Sequence, residues 1–118
     1  MFDEIEIEKH LLVVDDSATA RNLLVEFLSK YYPRVDEAAT AEDALRKIED
    51  TEYAVIFCDI ALPGISGVEM IPYARRLAPH SAIVLFSGKL TAEYAVSALR
   101  AGAFDYLTKP LDAEQVLA

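Results

Sequence analysis

Three short, uninterrupted apolar runs constrain this chain more than any other feature: "LLVV" at 11–14, "VIFC" at 55–58 and "IVLF" at 83–86. Each is rich in Val and Ile and lacks the alternation of a strand with one wet face, so each reads as a parallel strand covered on both sides. Parallel strands cannot be joined by tight hairpins and require crossovers. Helical patterns lie where crossovers are needed. Residues 17–30 carry Ala20, Leu23, Leu24, Phe27 and Leu28 on one predicted stripe, residues 41–50 carry Ala41, Ala44, Leu45 and Ile48, and "SGVEMIPYARRLA" (66–78) supplies a third helix. Thr40 with Asp43, Ser66 with Glu69, and Asp112 with Gln115 have the spacing of N-terminal caps, and Gly102 suits a helix C-terminus. Pro72 breaks the local rule inside the third helix and predicts a kink or a late start. The more polar "RVDEAA" (34–39) and "FDYLT" (104–108) complete the set as edge strands. The expected fold is α/β: a doubly wound, five-stranded parallel sheet of order 2-1-3-4-5, a flavodoxin-like (βα)5 arrangement with right-handed crossovers.

At 118 residues the chain can bury such a core without disulfides. Its single cysteine, Cys58, excludes an internal disulfide and a Cys-rich zinc site. Strand alternation points Cys58 away from its neighbour Asp59 and into the core. His10 and His80 read as surface or loop residues, not as phosphotransfer histidines on a helix face. A formal net charge of -9 leaves this segment no electrostatic footprint for direct nucleic acid binding. No apolar run approaches the roughly 20 residues needed to span a bilayer, and "MFDEIEIEKH" lacks the plan of a signal peptide. The expectation is a cytoplasmic protein with no membrane partner. Residues 1–9 read as a tail, although "EIEIE" alternates as a longer first strand would, and 10–118 read as the domain. "LDAEQVLA" opens a fifth helix and stops within two turns, so the last helix is expected to be truncated. Apolar surface near the fourth helix and fifth strand would then be exposed, favouring a homodimer there.

In a sheet of this order, sites form at the carboxyl ends of the central strands. Asp15, Asp16, Asp59, Ser87 and Lys109 all fall at such ends. Taken singly, each has an ordinary reading as a turn, cap or surface residue. Together they place three carboxylates, a hydroxyl and an ammonium on one rim, and like charges there cost stability unless a cation sits nearby. One divalent cation and Lys109 balance three carboxylates; oxygen-only donors beside open solvent favour magnesium, or manganese, over zinc.

With "VVDDS", "CDIALPGISG", "LFSG" and "GAFDYLTKP" in this order and at these spacings, the chain resembles the receiver domain of two-component response regulators. The resemblance implies that Asp59 is the phosphoacceptor, and that Asp15, Asp16, Asp59 and the Ala61 carbonyl seat magnesium. It implies further that Ser87 binds a phosphoryl oxygen, Lys109 bridges to the phosphate, and Tyr106 is a switch aromatic that turns inward on activation. The Lys109–Pro110 bond is a candidate cis peptide that aims the lysine. Ala61 and Lys89 flank the path of the water that hydrolyses the acyl phosphate. The implied donor is a sensor histidine kinase, a phosphotransfer protein or a small acyl phosphate. The implied output domain lies beyond residue 118, controlled through the surface of the fourth helix and fifth strand. No activity is implied beyond self-phosphorylation and self-dephosphorylation.

Other classes fit less well. A haloacid-dehalogenase-type phosphatase needs a second Asp two residues after the nucleophile, where Ala61 stands. A flavodoxin-like flavin site needs a phosphate-cradling loop after the first strand, where Asp15 and Asp16 would repel the phosphate. Gly88-Lys89 lacks the rest of a P-loop. A receiver-like module that binds partners without phosphorylation is the nearest alternative.

Overall fold

The computed structural model describes residues 10–87, 100, 102, 103 and 105–108, with backbone alone at 87 and 105–108. The strands are β1 (His10–Val14), β2 (Arg34–Ala38), β3 (Val55–Asp59), β4 (Ala82–Ser87) and β5 (Asp105–Thr108), and three helices, α1 (Ala18–Leu28), α2 (Ala41–Asp50) and α3 (Gly67–Leu77), join the first four. All pairings are parallel, in the order β2-β1-β3-β4-β5 expected from the sequence pattern. The 1–9 tail, Lys89, Lys109, Pro110, the Asp112/Gln115 cap pair and the fourth and fifth helices apart from Arg100 lie outside the described residues.

Alternation along the central strands divides the core into two layers. Leu12, Val14, Ile56, Cys58, Ile83 and Leu85 face Ala41, Ala44 and Ile48 of α2 and Met70, Ile71 and Ala74 of α3. Leu11, Val13, Phe57, Val84 and Phe86 face the other way, against Leu24 and Leu28 of α1. Apolar runs without alternation are therefore required, because both faces of each strand are dry. Cys58 is fully buried, as its position in the alternation demands.

The helices start where their caps stand. The Ser17 hydroxyl accepts from Ala20 N–H, and Thr40 from Asp43 N–H; at α3 a full capping box forms between Ser66 and Glu69. Pro72 does not delay α3, which begins at Gly67 and runs through it. The proline is exposed, so water can take up the bond that its missing N–H denies the Val68 carbonyl. The expected stripe on α1 also needs correction: Leu23 is 66% exposed. At about 100° per residue the buried face centres between Leu24 and Leu28, and Leu23 lies about 120° from that centre. Gly102 has φ of 108°, a conformation that suits the helix terminus expected of it.

Candidate functional site

The β1–β3 register pairs Val14 with Cys58, so the next residues, Asp15 and Asp59, leave adjacent strands side by side. Adjacent strands lie about 4.8 Å apart, which brings the two carboxylates together as a consequence of the fold. Asp16 joins them from the β1–α1 loop. One carboxylate oxygen from each of Asp15, Asp16 and Asp59 lies within 4.8 Å of the others. Asp15 and Asp59 are buried, at 1% and 6% exposure, while Asp16 is exposed.

Backbone donors orient the two buried carboxylates. Ser17 N–H donates to Asp15 Oδ1 at 2.9 Å, and Ala61 N–H donates to Asp59 Oδ1 at 3.0 Å. Both aspartates make further polar contacts. Two ionised carboxylates at this separation still repel by about 3 kcal/mol at an effective dielectric near 20. A cation relieves that cost, and a set of hard carboxylate oxygens open to solvent on one side suits a divalent ion of the magnesium or calcium type. The same negative charge reaches Cys58, where burial, then Asp59 and Asp15, push the thiol well above its usual range. It is a core residue and no nucleophile.

The loop after β3 is tied back onto the strand. Ile60 N–H continues the ladder by donating to the Phe86 carbonyl, and Gly67 N–H donates to the Ile60 carbonyl at 3.1 Å. Gly67 backs directly onto the phosphoacceptor candidate: a Cβ there would stand 2.6 Å from the Asp59 carbonyl oxygen. Gly64, with φ of 75°, makes the turn in the same loop.

Two contacts at this rim were not read from sequence. One is the Gly67 approach, whose only trace was the glycine in "GISG". The other belongs to Arg21, whose Nη1 donates to the Asp15 carbonyl at 2.8 Å while Nε donates to Glu37 Oε1, also at 2.8 Å. Nothing local in the sequence relates Arg21 to Glu37, sixteen residues away on β2. Of the remaining expected site residues, Ser87 is the last residue of β4, paired through its backbone with Thr108, and Tyr106 pairs with Leu85. Ala61 lies exposed in the loop that follows Asp59.

A family model described as the response regulator receiver domain matches residues 11–118. Among curated proteins, the chain is 30% identical to the DNA-binding transcriptional regulator NtrC of Azospirillum brasilense over 92% of its own length and 22% of that protein's. It is 27% identical to the chemotaxis protein CheY of Thermotoga maritima over 92% of each. The chain thus spans less than a quarter of the NtrC relative and nearly all of CheY. Among solved structures, a response regulator from Burkholderia pseudomallei with a phosphorylated aspartic acid, a calcium ion and citrate superposes with a TM-score of 0.88 at 30% identity, covering 94% of this chain and 65% of that one. The beryllofluoride-activated NtrC4 receiver domain dimer gives 0.85 at 31% identity, covering 92% and 89%.

Proposed function

The chain belongs to the response regulator receiver domain family, the phosphoacceptor domains of two-component signalling, and from that premise we propose that Asp59 takes the phosphoryl group. Asp15, Asp16, the Asp59 carboxylate and the Ala61 carbonyl would hold the divalent ion, which we take to be magnesium. One observation carries this reading: three carboxylates, two from the β1–α1 loop and one from the last residue of β3, converge within 4.8 Å at the carboxyl end of the two strands. The neighbour that holds a phosphorylated aspartic acid and a calcium ion supports it.

The chemistry suits these groups. An Asp59 oxygen attacks phosphorus; as that O–P bond forms, the bond from phosphorus to the donor's imidazole nitrogen, or to an acyl oxygen, breaks and the electron pair leaves with the donor. When bound, the divalent ion supplies positive charge to offset the carboxylates and the phosphoryl oxygens. The Ala61 N–H holds one Asp59 oxygen at 3.0 Å and so orients the carboxylate for attack. Lys109 bridges to the phosphate, the Ser87 hydroxyl binds a phosphoryl oxygen, and Tyr106 turns inward behind it, tilting the surface of the fourth helix and β5 between two states.

The donor in this reading is a sensor histidine kinase or a phosphotransfer protein, and the receiver of the signal is an output domain or a separate partner. A homodimer through the fourth helix and β5 would transmit the switch. No helix among the described residues is long and apolar enough to cross a membrane, consistent with a cytoplasmic site of action. The domain catalyses only its own phosphorylation and dephosphorylation. The test is intact mass after incubation with acetyl phosphate, with and without magnesium, beside Asp59→Asn. One added phosphoryl group that needs both magnesium and Asp59 is expected. No addition in folded protein would overturn the reading in favour of a module that acts without phosphorylation.

A further inference from the structure

We propose that Arg21 is a positioning residue for the acidic cluster, setting the Asp15–Asp16 peptide so that both carboxylates can hold a divalent ion. The inference rests on the reading of Asp15 and Asp16 as ligands. Arg21 is the fourth residue of α1, where the helix N-terminus disfavours a cation. Its side chain is nevertheless held in, at 18% exposure. The compensation is a pair of bonds made by one planar fork: Nη1 to the Asp15 carbonyl and Nε to Glu37.

Those bonds complete a three-point hold on Asp15. Its N–H donates to the Ala38 carbonyl at 3.1 Å, its Oδ1 accepts from Ser17 N–H, and its carbonyl accepts from Arg21. Because the peptide unit is planar, fixing the Asp15 carbonyl also fixes the nitrogen and Cα of Asp16. Asp16 is the exposed member of the cluster, so this indirect hold sets where its carboxylate starts. Glu37 neutralises the guanidinium and anchors it to β2, so orientation is the main effect of Arg21 and added positive field the lesser one. Without the fork, the Asp15–Asp16 peptide loses the bond that sets its carbonyl, and mutual repulsion can then shift the carboxylates apart. The loss then falls on ion affinity, while the rate at Asp59 with the ion bound is spared.

The experiment compares the parent with Arg21→Ala, Arg21→Lys and Glu37→Ala, reading manganese affinity by paramagnetic titration and phosphorylation by acetyl phosphate across magnesium concentrations. Partners of metal ligands that act from the outer shell are worth roughly 10- to 100-fold in affinity. Arg21→Ala should weaken manganese binding by about that factor, and phosphorylation at saturating magnesium should stay within about threefold of the parent. Arg21→Lys should recover part of the affinity, since one ammonium cannot serve both acceptors. Glu37→Ala, which leaves the guanidinium unanchored, should weaken binding severalfold and decides the matter if Arg21→Ala does not fold. Unchanged manganese affinity in the folded variants would overturn the proposal, as would a lost saturated rate with affinity intact. A parent that binds manganese but takes no phosphoryl group would instead overturn the reading of Asp59, and the manganese titrations would still decide the role of Arg21.

Discussion

Replacing Gly67 with alanine perturbs stability and the site through a single atom. The added Cβ would stand 2.6 Å from the Asp59 carbonyl oxygen and 2.9 Å from Ile60 Cα, where ordinary contact begins at 3.4 Å, so the backbone must give by about 0.8 Å. Both obstructing atoms are main chain, held by the β3–β4 ladder and by the bond from Gly67 N–H to Ile60. Overpacking of this kind costs about 1–3 kcal/mol, against up to about 1 kcal/mol that alanine gains over glycine in a helix. Taking the middle of the overpacking range, the net loss is about 1–2 kcal/mol, which corresponds to a melting temperature lower by roughly 3–10 °C for a domain of this size. Because the strain falls on the Asp59 peptide, phosphorylation should also slow, by up to about 100-fold for a displacement near 1 Å. Ser66→Ala is the control: losing the cap costs about 1 kcal/mol without pressing on Asp59. Thermal melts and acetyl phosphate kinetics on both variants separate the effects. A Gly67→Ala protein that melts and phosphorylates like the parent would refute the steric reasoning.

Two further predictions concern the scaffold. Asp36 accepts from Tyr53 Oη at 2.6 Å and from Arg34; burial opposes its ionisation, but these bonds, Tyr53's first, hold its pKa below 3.8. The stability it contributes is present above that value and is lost as pH falls through the lowered pKa. Tyr53→Phe should therefore cost about 1–2 kcal/mol at neutral pH, a gap that narrows in urea unfolding as the pH falls below 3.8, and a gap that stays constant would count against the linkage. On α1, Leu24→Ala should cost about 2–3 kcal/mol and Leu23→Ala under about 0.5 kcal/mol; equal losses in chemical denaturation would contradict the assignment of the buried face.

The parts of the fold that were legible in the sequence are those set by periodicity. The runs at 11–14, 55–58 and 83–86 read as strands buried on both faces, and setting them between two more polar edge strands fits the order the structure has. Thr40 and Ser66 were readable as caps because a cap is a local event, spanning three residues. The stripe on α1 was misjudged at Leu23 because apolar character does not say where a face is centred; the sheet decides that. Asp15, Asp16 and Asp59 could be grouped from their positions at strand ends; the register sets Asp15 beside Asp59, and the β1–α1 loop brings Asp16 to them. Arg21 and Gly67 were not found, since their partners, Glu37 with the Asp15 carbonyl and the Asp59 backbone, become neighbours only once the sheet is assembled. A contact to a backbone atom leaves no mark in the residue type of its partner.

The central claim is that one carboxylate of the three in the cluster carries the phosphoryl group. It is tested most directly by phosphorylating the protein with acetyl phosphate and magnesium, trapping the acyl phosphate by borohydride reduction, and locating the reduced residue by fragment mass. The expected result is reduction at Asp59 alone, absent when magnesium is withheld. Reduction at Asp15 or Asp16, or at none of the three in protein that is folded, would contradict it.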